Sequence, residues 1–137
     1  MSTGRRVKFT IYGEPASKAN SRRLVKVGGK PRFVKSQKAL KYEQDFRYQC
    51  PAIEPLIMGD VSVTATVFYA TRRPDLDESV ILDCMQATRT KLPDGTVALS
   101  GGVYANDRQV KEKHIYWALD RDNPRAVIEV EELLDES

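Results

Sequence analysis

The chain has 137 residues, with 22 Lys/Arg against 19 Asp/Glu and a formal net charge of +3 at pH 7. This length supports one domain over residues 1–137, and no run approaches the roughly 18 apolar residues of a membrane span. The N-terminus lacks the apolar segment of a signal peptide. His114 is the only histidine, which argues against a histidine-dependent nuclease centre and a catalytic triad. Since the two cysteines form no zinc-ligand pattern, we expect a cytoplasmic protein with no membrane partner.

The charge is divided unevenly along the chain. Residues 1–50 hold 13 Lys/Arg against 3 Asp/Glu, whereas the rest holds 9 against 16. A basic half beside an acidic half suits a protein that binds a polyanion with one surface and a metal with another. A solvated basic surface is the alternative interpretation.

The first half of the chain predicts a strand, a loop, a basic hairpin and a helix. These elements are expected over residues 7–13, 14–21, 22–35 and 36–49. Ser36 is the expected N-cap of the helix, and Pro51 ends it. The buried stripe of this helix is expected to contain Ala39, Tyr42, Phe46 and Cys50.

The second half predicts a strand, a helix, a turn and two further strands. Their expected ranges are 60–70, about 76–91, 92–95, 109–119 and 125–131, before a frayed acidic tail over 132–137. The expected apolar faces of the last two strands are Ile115, Trp117 and Leu119, and Ala126, Ile128 and Val130. Together these elements predict an α+β domain, with two main helices packed on a mixed β-sheet.

Three aspartates suggest the chemistry. Asp75 and Asp77 stand two residues apart after paired arginines, and Asp107 follows in an Asn-Asp-Arg-Gln-Val segment. Two carboxylates at this spacing on an extended turn can face one point, and a third from a later loop would complete an oxygen cage for Mg²⁺ or Mn²⁺. Paired arginines beside such a cage indicate a phosphate-bearing substrate. The hypothesis is a metal-dependent nuclease with these three aspartates as catalytic and metal-binding residues.

Other interpretations of these aspartates remain open. Asp75 can cap the second helix with Glu78 in the capping-box position, and Asp107 can be a turn residue. Both interpretations can hold together, because a capping aspartate can still point one oxygen at a metal.

A basic surface is expected to bind DNA through phosphates, and hence with strong salt dependence and little sequence preference. It is expected to comprise Lys18, Arg22, Arg23, Lys26, Lys30, Arg32, Arg72 and Arg73. The alternative is a hairpin tip that is basic only for solubility. For His114, Tyr116 and Trp117, packing on a sheet is favoured over base stacking.

The motifs resemble those of the RusA-like Holliday junction resolvases, small endodeoxyribonucleases of bacteria and their phages. The family pattern is Asp-x-Asp followed by Asp-Asp-x-Gln-Val/Ile. The resemblance covers most of the chain, and the two motifs occur in the same order as in the family. The matching segments are Gly13-Glu14-Pro15 with Ser17-Lys18, the basic hairpin, Lys41-Tyr42-Glu43, Pro74-Asp75-Leu76-Asp77 and Asn106-Asp107-Arg108-Gln109-Val110.

This resemblance implies a homodimer with a mixed α/β fold that binds four-way DNA junctions. Each subunit would hold Mg²⁺ or Mn²⁺ with Asp75, Asp77 and Asp107 and cut one strand, which gives paired nicks. The setting would be the cytoplasm of a bacterium or of a phage-infected host cell.

The chain also departs from the family pattern. Asn106 replaces a frequent aspartate, and Ile81 stands where the family has a lysine, four residues after the second aspartate. A two-residue shortening puts Ser79 at the lysine position and aligns Asp83 with the family's helix aspartate. Asp83 is then a fourth acidic group near the metal or an exposed helix residue, and the second interpretation is favoured.

The missing lysine would stabilise charge on the phosphate. Lys18, Lys91 and Lys111 are the candidates to replace it. The leading alternative function is a non-catalytic, structure-selective DNA-binding protein, and the next is a protein-interaction module whose acidic turn is only a helix cap.

Overall fold

The fold is organised around a four-stranded mixed sheet. The computed structural model describes residues 3–16, 22–72 and 78–134. The strands are β1 Thr3–Tyr12, β2 Arg22–Val27, β3 Lys30–Lys35, β4 Val61–Tyr69, β5 Thr88–Lys91, β6 Val97–Ser100, β7 Val110–Leu119 and β8 Arg125–Leu133. The helices are α1 Gln37–Gln49 and α2 Ser79–Cys84, and a 3-10 turn covers Asp107–Gln109. No helix within the described ranges is long and apolar enough to cross a membrane.

The sheet has the strand order β1-β8-β4-β7. β8 runs antiparallel to β1 and β4, whereas β4 and β7 are parallel. A parallel pair needs a crossover connection, and here the crossover carries α2, the β5–β6 hairpin and the 3-10 turn. The predicted α+β class with a mixed sheet is therefore confirmed.

Strand alternation builds the core as expected. In β4 every second side chain is fully buried, from Val61 through Tyr69. In β8 the buried set is Ala126, Ile128 and Val130, as predicted. One face of the sheet therefore forms the core against the helices, since a period of two sends alternate side chains to the same face.

Helix α1 follows its sequence signals closely. The Ser36 hydroxyl accepts a hydrogen bond from the backbone N–H of Ala39 at 3.2 Å, which confirms the N-cap. Tyr42 and Phe46 are buried and make an edge-to-face contact with ring centroids 6.0 Å apart. Cys50 is only half-buried and follows the last helical residue.

The predicted second helix is wrong in length, because α2 ends at Cys84 rather than near Lys91. The backbone beyond α2 bonds instead to a buried later segment. The Val103 N–H donates to Met85 O at 2.8 Å, and the Ala87 N–H donates to Tyr104 O at 2.9 Å. These tertiary hydrogen bonds override helix propensity, and the chain continues as the β5–β6 hairpin.

The prediction that the frayed tail begins at Glu132 is wrong. Strand β8 continues to Leu133, whose N–H donates to Asp60 O at 2.8 Å. The Glu132 carboxylate accepts a hydrogen bond from the backbone N–H of Arg5 at 3.2 Å. Cross-strand bonds therefore hold Glu132 and Leu133 in the sheet, and residues 135–137 lie outside the described part of the chain.

Strand β7 is an edge of the sheet. In the register with β4, Ile115, Trp117 and Leu119 lie on the core face as predicted, yet Trp117 and Leu119 remain 41% and 37% exposed. His114 and Tyr116 lie on the opposite face and are exposed. The helices therefore leave part of the core face of β7 exposed.

Candidate metal and nucleic-acid site

Asp107 is held in a braced turn at the entrance to β7. The Asn106 side chain accepts from the Arg108 N–H at 2.8 Å, and the Gln109 side chain accepts from the Asn106 N–H at 2.8 Å. The Asp107 N–H donates to the Gln86 side chain at 2.8 Å. The Gln109 amide also donates to the carbonyls of Ile57, at 2.9 Å, and Gly59, at 2.7 Å. These bonds fix the backbone that carries the Asp107 carboxylate.

Asp83, on α2, lies beside Asp107. It is half-buried. Burial raises the pKa of Asp83 above its ordinary value of 3.8, and the interaction of its side chain with the nearby Asp107 carboxylate raises it further. The favoured interpretation of Asp83 as an exposed helix residue is therefore wrong, and it belongs with Asp107.

Helix α1 adds a third carboxylate, and β3 adds a cation. The Lys35 Nζ lies 2.8 Å from a Glu43 carboxylate oxygen. The negative charge of Glu43 raises the pKa of Asp83, whereas the positive charge of Lys35 lowers it. We call Glu43, Asp83 and Asp107 the acidic cluster. Lys35 is the cation that most directly offsets the charge of this cluster in the described chain.

Tyr104 forms the buried support beneath this cluster. Its side chain is fully buried, and its hydroxyl donates to Leu82 O at 2.6 Å. Burial, followed by the charges of Asp107 and Asp83, raises the Tyr104 pKa, so the phenol stays neutral. Tyr104 therefore ties α2 to the segment that leads to Asp107.

The two faces of α2 differ at the positions where the resemblance leads us to expect a lysine. Ile81 is fully buried, so a lysine there would point into the core. Ser79 is exposed and stands four residues before Asp83, which puts both on one face of the helix. The face that carries Asp83 therefore agrees with the shortened alignment, in which Ser79 takes the place of the lysine.

Asp75 and Asp77 lie outside the described residues. Helix α2 begins at Ser79 with Glu78 at the N-cap position, and Glu78 makes no side-chain capping bond. The interpretation of Asp75 as a helix cap concerns a residue outside the described part of the chain and stays a prediction. Earlier in the chain, the Glu14 carboxylate accepts a hydrogen bond from the Ala70 N–H at 2.7 Å and anchors the end of β4.

The donor chemistry of the cluster fits a hard divalent cation in part. Two carboxylates about 4 Å apart repel by about 4 kcal/mol at an effective dielectric near 20, so a proton or a cation must offset that cost. Within the described ranges no group of three or more side chains is arranged to hold a metal ion. A complete cage therefore needs ligands beyond Asp83 and Asp107, and Asp75 and Asp77 are the sequence candidates.

Neither cysteine offers a thiolate at neutral pH. Burial raises the pKa of the Cys84 thiol to about 12 and that of the half-buried Cys50 thiol to about 11. Both are free thiols. Since only the thiolate is a good nucleophile or metal ligand, the carboxylates remain the candidates for both tasks.

The basic surface has a described and an undescribed part. Arg23, Lys26, Lys30 and Arg32 are exposed on the β2–β3 hairpin. Arg72 is exposed after β4, and none of these five pairs with a carboxylate in the described chain. Arg22 lies in β2, but the structure does not describe its side chain. Lys18 and Arg73 lie outside the described residues. The hairpin itself is confirmed as an element.

Comparisons with models of known protein families and with curated proteins found no match. The resemblance to RusA-like resolvases therefore remains an expectation drawn from the motifs.

Sequence reasoning did not select two residues of the site, Lys35 and Glu43. Glu43 lies in the Lys41-Tyr42-Glu43 segment that matches the resemblance, but no role was expected for it, and both residues stand far from Asp107 in the chain. The packing of α1 near α2 brings Glu43 close to Asp83, and the Lys35 ion pair with Glu43 adds the cation. The candidates Lys91 and Lys111 are exposed at a hairpin and at the start of β7, and Lys18 lies outside the described residues. Two signals pointed to this site: the spacing of Asp83 from Asp77 in the shortened alignment, and the Lys41-Tyr42-Glu43 segment.

Proposed function

We propose that this protein is a divalent-metal-dependent endodeoxyribonuclease that cuts four-way or related branched DNA, in the manner of the RusA-like resolvases. The observation that carries the proposal is the juxtaposition of Asp83 and Asp107 beside Lys35. The half-buried Asp83 and the neighbouring Asp107 lie at the base of a hairpin with six Lys/Arg and no Asp/Glu over residues 22–35. The cytoplasm of a bacterium or of a phage-infected cell is the compartment that this function requires.

Each side chain has a proposed role. Asp75, Asp77 and Asp107 hold Mg²⁺ or Mn²⁺, and Asp83 buttresses Asp107. A metal ion held there supplies Lewis-acid stabilisation of the phosphate and a lower pKa for an attacking water. Lys35 offsets negative charge next to the scissile phosphate, the role of the missing family lysine. Water attacks directly, so no covalent enzyme intermediate forms.

A homodimer is part of the proposal, because paired nicks need two sites. Strand β7 supplies a surface for a second copy: its outer edge has no strand partner in the described chain, and Tyr116 and Trp117 are 54% and 41% exposed there. Antiparallel pairing of two copies centred on Ile115 would set Lys113 against Trp117 and place no like charges opposite each other. Trp117→Arg should then shift the mass measured by light scattering from dimer to monomer; an unchanged mass would rule out this edge.

The test of function uses a labelled four-way junction and a linear duplex of matching sequence, each with Mg²⁺, Mn²⁺ or EDTA. We expect metal-dependent paired nicks near the crossover of the junction alone. Asp75→Asn, Asp77→Asn and Asp107→Asn should each abolish cutting and leave junction binding intact. Asp122→Asn, in an exposed loop, is the matched control and should cut normally.

A non-catalytic junction-binding protein is the second candidate function. The observation that favours it is the buried Ile81 at the family lysine position. Tight junction binding without cutting in either metal would establish this candidate. Equal affinity for junction and duplex would contradict both.

A further inference from the structure

The β2–β3 hairpin exposes an unusual apolar pair on a basic surface. Leu24 and Phe33 are directly opposite each other in the antiparallel register. Directly opposed residues point to the same face with Cβ atoms about 5 Å apart, so the two side chains form one patch. Leu24 is 61% exposed and Phe33 is 71% exposed. Burial in this protein therefore does not explain either residue.

The surroundings of the pair indicate an anionic occupant. Residues 22–35 hold six Lys/Arg and no Asp/Glu. Such a charge repels a second copy of the same hairpin, which argues against self-association through this patch. The exposed apolar side chains of this hairpin are Leu24 and Phe33 on one face and Val27 on the other, and these are far fewer than stable insertion into a membrane needs. A polyanion with flat apolar faces, namely DNA with accessible bases, complements both features.

The pair also lies next to the acidic cluster. Phe33 and Lys35 are two residues apart on one strand, so they share a face and are separated by about 7 Å along it. Lys35 in turn contacts Glu43 of the acidic cluster. A base held by Phe33 would therefore belong to a nucleotide within one or two steps of a phosphate at the cluster.

We infer that Leu24 and Phe33 form a wedge that stacks against an unpaired or unstacked base at the branch point of DNA. This inference rests on the proposed function for its partner class, and adds how the protein would select branched over linear DNA. Apolar wedges require a base step that opens at small cost, and a branch point offers such steps whereas continuous duplex does not.

The test uses a four-way junction with 2-aminopurine at the crossover, in EDTA so that no cutting occurs, and a linear duplex with the same label. Wild-type protein should raise the fluorescence of the junction probe, because unstacked 2-aminopurine is brighter, and should leave the duplex probe unchanged. Phe33→Ala should remove the rise and weaken junction binding roughly 5- to 150-fold. Leu24→Ala should act in the same direction and more weakly, and Phe33→Trp should retain the rise.

Tyr48→Ala is the matched control, since Tyr48 is a 92% exposed aromatic residue on α1 and should have no effect. Circular dichroism and thermal melts of every variant report folding, which substitution of exposed side chains should leave intact. The inference is overturned if Phe33→Ala keeps the full fluorescence rise and affinity. It is also overturned if the variant loses binding only to vesicles of anionic lipid.

This readout is independent of cutting. Wild-type protein that raises the fluorescence through Phe33 but cuts in neither Mg²⁺ nor Mn²⁺ supports the wedge and contradicts the nuclease. Metal-dependent cutting that Phe33→Ala leaves unchanged, with the fluorescence rise intact, supports the nuclease and overturns the wedge.

Discussion

Two hairpins extend from the same domain, and they differ in charge. Both are two-stranded and lie outside the central sheet, and both expose large apolar side chains, Leu24 and Phe33 in one and Val97 and Leu99 in the other. The β2–β3 hairpin holds six Lys/Arg and no Asp/Glu over residues 22–35, whereas residues 88–100 hold two Lys/Arg and Asp94. Exposed apolar area is therefore not by itself the feature that suggests DNA binding; its combination with charge is.

The hairpins also differ in what they adjoin. The β2–β3 hairpin ends at Lys35, which contacts Glu43 of the acidic cluster. The β5–β6 hairpin leads back to the core at Gly102 and Val103. One hairpin is thus placed to bring a ligand to the candidate site, and the other to complete the crossover between β4 and β7.

The largest expected effect comes from removing the charge of the β2–β3 hairpin. Replacing Arg23, Lys26, Lys30 and Arg32 with alanine should weaken junction binding on the order of 10³-fold at 0.1 M salt, because each phosphate contact releases a counterion. The slope of log Kd against log salt should fall by about 3 to 4. Fluorescence anisotropy across a salt series measures both quantities.

The corresponding change in the other hairpin is the control. Arg89→Ala with Lys91→Ala should leave the salt slope unchanged. Equal losses from the two hairpins would mean that net charge alone, and not the position of the hairpin, governs binding.

The next effect separates two lysines that the two hairpins contribute. Lys35→Met should lower the cutting rate about 10- to 100-fold with little change in junction affinity, because Lys35 offsets charge at the site. Lys91→Met should not change the rate. Single-turnover cutting with saturating protein separates rate from affinity, and a defect confined to Lys91→Met would reverse the assignment.

Folding supplies a third contrast. Gly102 has a φ of +75°, and a Cβ there would meet Met85 O at 2.7 Å, whereas Gly28 has a φ of +59° with nothing within 4 Å. Gly102→Ala should lower the free energy of unfolding by about 2 kcal/mol or more, since strain and a clash with core backbone combine. Gly28→Ala should cost about 1 to 2 kcal/mol within its own turn and change global unfolding less. Urea titrations measure the first, and hydrogen exchange of residues 22–35 the second; a larger global loss for Gly28→Ala would contradict this contrast.

The sequence was sufficient for the periodic elements. Strand β4, helix α1 with its Ser36 cap and the Gly28-Gly29 hairpin follow from patterns that tertiary contacts reinforce. The length of α2 was not predictable in this way, because backbone bonds to Val103 and Tyr104 decide where the helix ends. Such competition depends on a segment almost twenty residues away, and no local pattern reports it.

The candidate site also has a part that the sequence predicts and a part that depends on tertiary packing. Asp107 could be found from its motif, since a braced turn needs Asn106 and Gln109 at fixed offsets. The acidic cluster as a whole could not, because Glu43 and Asp83 belong to separate helices and nothing in the sequence places either of them beside Asp107. Residues that only packing brings together cannot be recognised before the helices are placed, and Lys35 is such a residue.

The smallest effect concerns the tips of the two hairpins in acid. In the β5–β6 hairpin the Asp94 carboxylate accepts from the Thr96 N–H at 3.0 Å and from its hydroxyl at 2.6 Å, and these bonds lower the pKa of Asp94 below its ordinary 3.8. The turn of the β2–β3 hairpin, with positive φ at Gly28 and Gly29, contains no titrating group. Because a lowered pKa stabilises the fold above the unfolded value, the contribution of Asp94 should be complete above about pH 4 and be lost as the pH falls through its folded pKa. The Thr96 amide shift should therefore titrate below pH 3.8 in nitrogen-15 correlation spectra, and Asp94→Asn should abolish that titration while the Gly28 and Gly29 amides stay constant in both proteins. Titration of the glycine amides in the same range would show that the two hairpins open together in acid and are not independent units.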